Sequence, residues 1–545
     1  MDYHRYNILV TDDFKKIALA LQALQKKCCS IPVLAIYWIQ MQHPVFPVQK
    51  EILKKWDMLV NGTPSKNFFS EGMEVFGIIY DSVLNVARCL KYICIRMPQV
   101  VWLRWKKRHE IREISQMSFD VVIKSWSFGT QRLEGDSDFY FGDLQYRLKR
   151  QNVNALLLCG DPTYSDVRAF VNTHIEVDGL QRFPELLLIP FWAFFFMFFW
   201  QIGTSLKLCY LSLRDASGVM RYVFRLSARD VLTVETLTKG LYYWIGQKTV
   251  QIWHPKSFIT LYEGRSWETC VLKGIKKEDF YCKVVGYQHA VLFSSSLSLL
   301  QPDSAVLRAH VPDIILCLGP QTRDMMQNGH LSERIVFGSF RRPENTREPS
   351  FCSHPEPKKK TVLVMPEGYP EETIALFNFA MDLANGLPDH KFILRCHPAL
   401  SFSVIKEKLK DDLRDYSNVE LSDAEFNEDI KRSSAIFYRG TSSVMYTILQ
   451  GIKPYYINFS NSNNVDPLFE LEKWREQIDT VDDAIQKLQY YKHCESNELI
   501  DDWRVAVHYV NDYIVSVGDD LVSNLVFHIQ NENALKNCLK DIPKG

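Results

Sequence analysis

The sequence predicts an α/β protein made of two Rossmann-like domains that face each other across a cleft. Three observations carry that expectation. From residue 257 onward, short apolar runs alternate with amphipathic runs, the rhythm of a doubly wound sheet. The rhythm breaks at 341–360, RRPENTREPSFCSHPEPKKK, which is rich in proline and charge, and then resumes. The chain's 545 residues also exceed what one hydrophobic core usually organises. The expected division is therefore 1–340 as a first domain, 341–360 as linker, and 361–545 as a second domain with a helical tail.

In the first domain, strands are expected at 8–10 and 33–38, with a helix at 14–27 between them. The stretch 54–153 reads as less regular. A strand follows at 155–161 and a long helix at 226–244. Strands at 257–262, 282–286, 314–318 and 335–337 then alternate with helices at 267–276 and 322–328. In the second domain the strands fall at 361–365, 391–394, 419–421, 434–437 and 454–457. Its helices fall at 371–383, 404–413, 426–431 and 442–449, and the chain beyond 466 reads as largely helical.

One segment departs from this pattern. Residues 186–200, LLLIPFWAFFFMFFW, carry no charge, and upstream 88–112 is basic and aromatic. The apolar run is shorter than the ~20 residues a straight span needs. Together the two segments predict a membrane-proximal aromatic insertion that meets an anionic lipid face. The alternative is a buried helix beside a solvated basic face. Lysine plus arginine and aspartate plus glutamate both number 64, which gives no support for a nucleic-acid partner. The 13 scattered cysteines and the start without a charged-then-apolar leader point to reduced thiols in the cytoplasm.

The sharpest motifs lie in the second domain. KFILRCHP places Arg395, His397 and Pro398 at the end of a strand. Arginine offers a fixed fork of donors and histidine a donor at neutral pH, so both suit a phosphate or a sugar carboxylate. FYRGTSS places Gly440 in a turn, with Thr441, Ser442 and Ser443 at a helix start, where hydroxyls and amides suit a nucleotide phosphate. MPEGYPEE puts Glu367 at a third strand end, where a carboxylate accepts from a ribose or sugar hydroxyl.

The first domain supplies a complementary set. In YEGRSWE, Glu263 ends a strand and suits a general base for an acceptor hydroxyl; Glu268 competes for that role. VGYQHA offers Gln288 and His289, and CGD offers Asp161, as acceptor-binding groups, and Gly338-Ser339 lies where it could face the donor. Asp161 with Asp166 could also hold a divalent metal, but no DxD triplet, HExxH pair or close Cys/His set is present, so no metal ligand is assigned. GxGxxG, GxxxxGK[ST] and GxSxG are all absent, which leaves nicotinamide, P-loop and serine-hydrolase chemistry unsupported.

YEGRSWE with VGYQH, and RCHP with RGTSS and the following QGIKP, resemble the bacterial capsule and O-antigen glycosyltransferases of the GT-B type. The His-Pro and Ser/Thr-rich pair is also similar to CMP-sugar transferases and to polyglycerol-phosphate polymerases. The resemblance implies a nucleotide-sugar donor, a carbohydrate or lipid-linked acceptor, and work at the inner face of the cytoplasmic membrane. It implies phosphate contacts for His397, Pro398 and Thr441 to Ser443, and the acidic catalytic position for Glu263. One departure concerns the donor. VMYTILQG after Ser443 holds no carboxylate, which disfavours a UDP- or GDP-hexose held in that way and leaves CMP- or CDP-linked donors open. A CDP-alditol phosphotransferase, a non-catalytic carbohydrate-assembly scaffold and a sugar-nucleotide epimerase are the rival readings.

Overall fold

The computed structural model describes residues 68–531 apart from 127–137, 161–175, 178, 215–217, 294–298, 300–310, 327–331, 343–354, 399 and 460–463. The expected elements at 8–10, 14–27 and 33–38, most of the linker, and Asp161 with Asp166 lie outside the described residues.

In chain order the first domain contains α1 (Phe68–Lys106), α2 (Arg108–Ser115), β1 (Val121–Trp126), α3 (Leu144–Arg150), β2 (Ala155–Gly160), β3 (Glu176–Val177) and β4 (Leu180–Pro184). Then come α4 (Phe191–Arg214), α5 (Gly218–Asp230), α6 (Val234–Trp253), β5 (Ser257–Leu261), α7 (Ser266–Glu278), β6 (Lys283–Tyr287), β7 (Ile314–Cys317), α8 (Pro320–Met325) and β8 (Glu333–Val336). Its sheet runs β3-β4-β2-β1-β5-β6-β7-β8, and every pairing is parallel except β3 with β4.

The second domain contains β9 (Thr361–Met365), α9 (Pro370–Gly386), β10 (Lys391–Leu394), α10 (Phe402–Ile405), β11 (Val419–Leu421), α11 (Phe426–Arg432), β12 (Ala435–Tyr438), α12 (Val444–Leu449), β13 (Lys453–Ile457) and β14 (Glu476–Ile478). The helices α13 (Val481–His493), α14 (Ser496–Tyr513) and α15 (Asp519–Gln530) follow. The parallel order β11-β10-β9-β12-β13-β14 is that of a doubly wound dinucleotide fold, with its switch point between β9 and β12. In the first sheet the corresponding reversal lies between β1 and β5. The molecule is thus two Rossmann-like α/β domains across a cleft, the GT-B arrangement. The central strands are buried on both faces, as parallel sheets covered by helices require.

Four expectations are corrected. The stretch 54–153 holds a 39-residue helix, α1, and strand β1, not irregular chain. The long helix expected at 226–244 is two helices. The first ends at Asp230, and Thr233 caps the next: its Oγ1 accepts from the Thr236 amide at 3.3 Å and donates to the Asp230 carbonyl. The helix expected at 404–413 gives way to short turns, because the Asp412 carboxylate accepts from the Arg414 amide and Asn378 accepts from the Lys410 amide. A further strand, β14, precedes the helical tail.

The tail returns to the first domain. The Ser339 amide donates to the Val515 carbonyl at 2.8 Å, Arg147 pairs with Asp519 at 3.1 Å, and Lys283 Nζ donates to the His528 carbonyl at 2.7 Å. Helix α15 packs on α3.

The apolar insertion is helix α4, 24 residues long and apolar enough to cross a membrane by length and composition alone. One of its faces is held to the body. Gln201 donates to the Val231 and Thr233 carbonyls, and Ser205 donates to the Ala228 carbonyl. The opposite face, including Phe191, Phe195, Phe199, Leu206 and Leu213, is exposed.

Candidate active site

Strand register sets the site. Leu261 pairs with Tyr287, so the residues just beyond β5 and β6 emerge side by side. Glu263 Oε1 lies 3.0 Å from His289 Nε2, and Glu263 also pairs with Arg265. The His289 ring meets Tyr140 edge-on at 4.7 Å, while its buried Nδ1 has no hydrogen-bond partner among the described residues. Arg341 donates to the His289 carbonyl at 2.8 Å.

Glu268 is buried and turned inward. Its carboxylate accepts from the amides of Glu263 and Arg265, and so holds the β5–α7 turn in shape. Burial, reinforced by the Glu263 charge, pushes its pKa up to about 8. The position that competed with Glu263 on sequence is therefore the one that presents Glu263.

In the second domain β10, β9 and β12 lie in consecutive order, so RCHP, PEG and RGTSS emerge next to one another. Gly440 takes φ +64°, a left-handed conformation suited to glycine, and a Cβ there would come within 2.4 Å of Glu367 Oε2. The Glu367 carboxyl is raised to about 8 by burial and then by the neighbouring Glu372 charge. His397 stands beside the same turn: its Nδ1 lies 2.9 Å from where a Cβ on Gly368 would sit. Its ring is reached by solvent, yet desolvation lowers its pKa, so the neutral imidazole prevails at pH 7. Pro398 follows it, exposed, in a turn. Arg439 is buried and donates to Glu372 at 2.7 Å, which anchors the end of β12 to α9.

Two cavities meet here. One, of about 210 Å³, lies between the domains, with Glu263, Arg265 and His289 on one side and Glu367, Gly440 and Ser442 on the other. The second, of about 460 Å³, lies over the first sheet's switch point. Tyr140, Glu263, Arg265 and His289 line both.

Several expected residues sit differently. The Arg395 guanidinium turns to Asp429 at 2.7 Å and to the Ala424 carbonyl at 2.7 Å, away from the turn that holds His397. Gln288 is buried, donating to the Ala290 carbonyl and accepting from the Leu318 amide, so it shapes the loop that presents His289. Ser339 and Gly338 bind the returning tail and the Tyr287 hydroxyl. Helix α12 starts at Val444, with Ser443 in the N-cap position; the Ser443 amide donates to Thr441 Oγ1 at 3.3 Å, and Ser442 lines the cleft cavity. Sequence reasoning missed Tyr140, Arg265, Arg341 and the aromatic floor of the second cavity. Arg265 had a signal, lying within YEGRSWE, but the others come together only through the fold. Among the described residues no cluster of three or more His, Cys, Asp or Glu is arranged to hold a metal.

No family model and no curated protein matches the chain. Among solved structures, it is similar to UDP-GlcNAc 2-epimerase from Methanocaldococcus jannaschii, at 10% identity and TM-score 0.40, over 75% of this chain and 99% of that one. It is also similar to an α,α-trehalose-phosphate synthase from Burkholderia vietnamiensis, at 8% identity and TM-score 0.43, over 77% and 98%. The glycosyltransferase SnogD from Streptomyces nogalater gives 11% identity and TM-score 0.39, over 75% and 99%. These are resemblances of overall shape, and the reading of the site rests on its own geometry.

Proposed function

We propose that this protein transfers a sugar from a nucleotide-activated donor to a carbohydrate or lipid-linked acceptor, in the assembly of a surface polysaccharide. The observation that carries the reading is the meeting, across one cavity, of the Glu263–His289 pair with the Glu367–Gly440 strand ends at the second sheet's switch point. Nucleotides bind beyond the carboxyl ends of strands at such points. The donor phosphate would lie near His397 and the Thr441–Ser443 turn, which supply an imidazole, three hydroxyls and backbone amides.

In the transfer, the acceptor oxygen forms a bond to the anomeric carbon as the bond from that carbon to the phosphate oxygen breaks. The acceptor proton passes to Glu263, and His289 holds the carboxylate in place. Charge gathers on the leaving phosphate, where His397 and the hydroxyls donate to it. Glu263 is paired with Arg265 in the ground state, so acceptor binding must loosen that pair before the carboxylate can take a proton.

Calorimetry with CMP, CDP, UDP and GDP, with and without magnesium, tests the donor class. Selective binding of one nucleotide supports the reading, and binding of none removes it. Product analysis then separates a glycosidic bond from a phosphodiester.

The exposed apolar face of α4 supports a location on an anionic membrane surface. Helix α1 adds exposed Trp102 and Trp105, over whose rings Lys106 and Arg108 lie at 5.5 and 5.3 Å. Arg104 does not contribute to that face: it donates to the Leu187 and Ile189 carbonyls and pins α1 to the entry of α4.

A further inference from the structure

We propose that the larger cavity is a binding chamber for an uncharged, hydroxyl-rich sugar ring, the group that receives the transferred sugar. Its role as acceptor rests on the proposed transfer reaction; the ligand class rests on the lining alone. The chamber sits between Trp126, at the end of β1, and Glu263, beyond β5, at the switch point of the first sheet. Its volume of about 460 Å³ falls within the ~300–1,000 Å³ of small-molecule sites.

The walls are aromatic: Trp126, Trp267 and Tyr242 on the sheet side, Tyr140 and Tyr369 toward the cleft. The electron-rich face of such a ring attracts the polarised C–H groups along one face of a pyranose. Hydroxyl partners come from α6, which presents Glu235, Thr238 and Lys239.

Charge in the lining is balanced. Lys239 pairs with Glu235, and Arg265 pairs with Glu263. Glu268 is buried against two backbone amides, and its raised pKa keeps it protonated at pH 7. An anionic ligand would meet two carboxylates and a cationic ligand would meet Lys239 and Arg265, so each would have to break an existing pair. A neutral ring need only add hydrogen bonds.

The floor is rigid. Lys124 is fully buried, with its Nζ 2.9 Å from the Trp126 ring centroid and 4.1 Å from that of Trp267. It lies 3.7 Å from Glu185, which accepts from the Tyr242 hydroxyl at 2.7 Å. All three chamber aromatics on the sheet side are thus held by one buried pair. The chamber opens past the shared wall of Glu263 and His289, so a ring within it presents a hydroxyl to the pair assigned to proton transfer.

The test uses saturation-transfer NMR and tryptophan fluorescence with glucose, galactose, rhamnose and N-acetylglucosamine, set against glucuronate and glucosamine, without nucleotide. At least one neutral sugar should bind and the charged ones should not. Thr238→Trp, which fills the chamber, should abolish sugar binding, and Tyr369→Ala, at a half-open position less prone to disturb folding, should weaken it at least tenfold. Nucleotide affinity should be unchanged in both. Binding of charged sugars alone, of no sugar, or of neutral sugars undiminished in both variants overturns the chamber. Sugar binding that depends on Thr238 and Tyr369 in a protein that binds no nucleotide upholds the chamber and removes the transferase reading instead.

Discussion

Lys124 and Glu185 are both fully buried, and neither exposes a charge to water. Burial pulls the Lys124 ammonium down to about 8. Removing one partner leaves the other charge stranded, at a cost of about 3–5 kcal/mol. Lys124→Met should therefore lower the unfolding midpoint in urea markedly. The double variant Lys124→Met/Glu185→Leu should recover much of that loss; equal loss in both would show that packing, not charge, is at stake. Glu268 and Glu367 give a second expectation. Both titrate near 8 in the folded chain against about 4.5 for the free side chain. Between those values the folded state holds protons that the unfolded state has released, so stability falls as pH rises through the window. Tm measured from pH 5 to pH 8 should decline, and Glu268→Gln, which still accepts from the turn amides, should make the decline shallower. Within the site, Glu263→Gln should lower acceptor-dependent turnover at least a hundredfold with nucleotide affinity retained. Normal turnover would remove Glu263 as the base. The single residues were unevenly legible. Glu263, Glu367, Gly440 and Arg395 lie at the strand ends where the sequence puts them, whereas the Arg395 pairing with Asp429 was not legible, because that partner lies far along the chain and nothing local announces it.

At the scale of elements, β9, β10 and β11 lie where short β-branched and aromatic runs between turn residues put them. Strand β1 was hidden because VVIKSW carries a lysine and a serine, which interrupt the apolar run; both are buried, the serine satisfied by Asp138 at 2.8 Å. Helix α4 was legible as apolar but not as two-faced, since its buried side carries Gln201, Thr204 and Ser205 beside Phe194, Met197 and Phe198, while Phe191, Trp192, Phe195, Phe196 and Phe199 face out. The apolar outer face gives a direct expectation. Phe195→Asp with Phe199→Asp should reduce sedimentation with anionic vesicles at least tenfold without lowering Tm, because neither side chain belongs to the core. Unchanged sedimentation would mean the face meets something other than lipid.

Across the whole molecule, the two sheets and their cleft were legible from rhythm and linker, but the returning tail was not. Its ties are specific: Arg342, buried, donates to the Val510 carbonyl at 3.3 Å and also engages Ile514 and Asn511, while the Tyr513 hydroxyl accepts from the Leu292 amide at 2.7 Å. These join the segment just after the first domain to the last long helices, where the chain crosses back. Arg342→Ala should lower Tm by several degrees and loosen the cleft, read as faster proteolysis at the domain junction. The chamber was also invisible in sequence, because β1, α6, α7 and the turn before α9 each supply part of it.

Helices α6 and α7 touch backbone to backbone: a Cβ on Gly274 would come within 1.9 Å of the Tyr243 carbonyl oxygen. One of these helices carries Glu235, Thr238, Lys239 and Tyr242, and the other begins at the turn that presents Glu263 and Arg265. Locked in this way, they behave as a mould whose dimensions are cast once. On this reading, a change in the sugar accepted must come from exchanging side chains on a fixed frame, not from a shift of the helices that carry them.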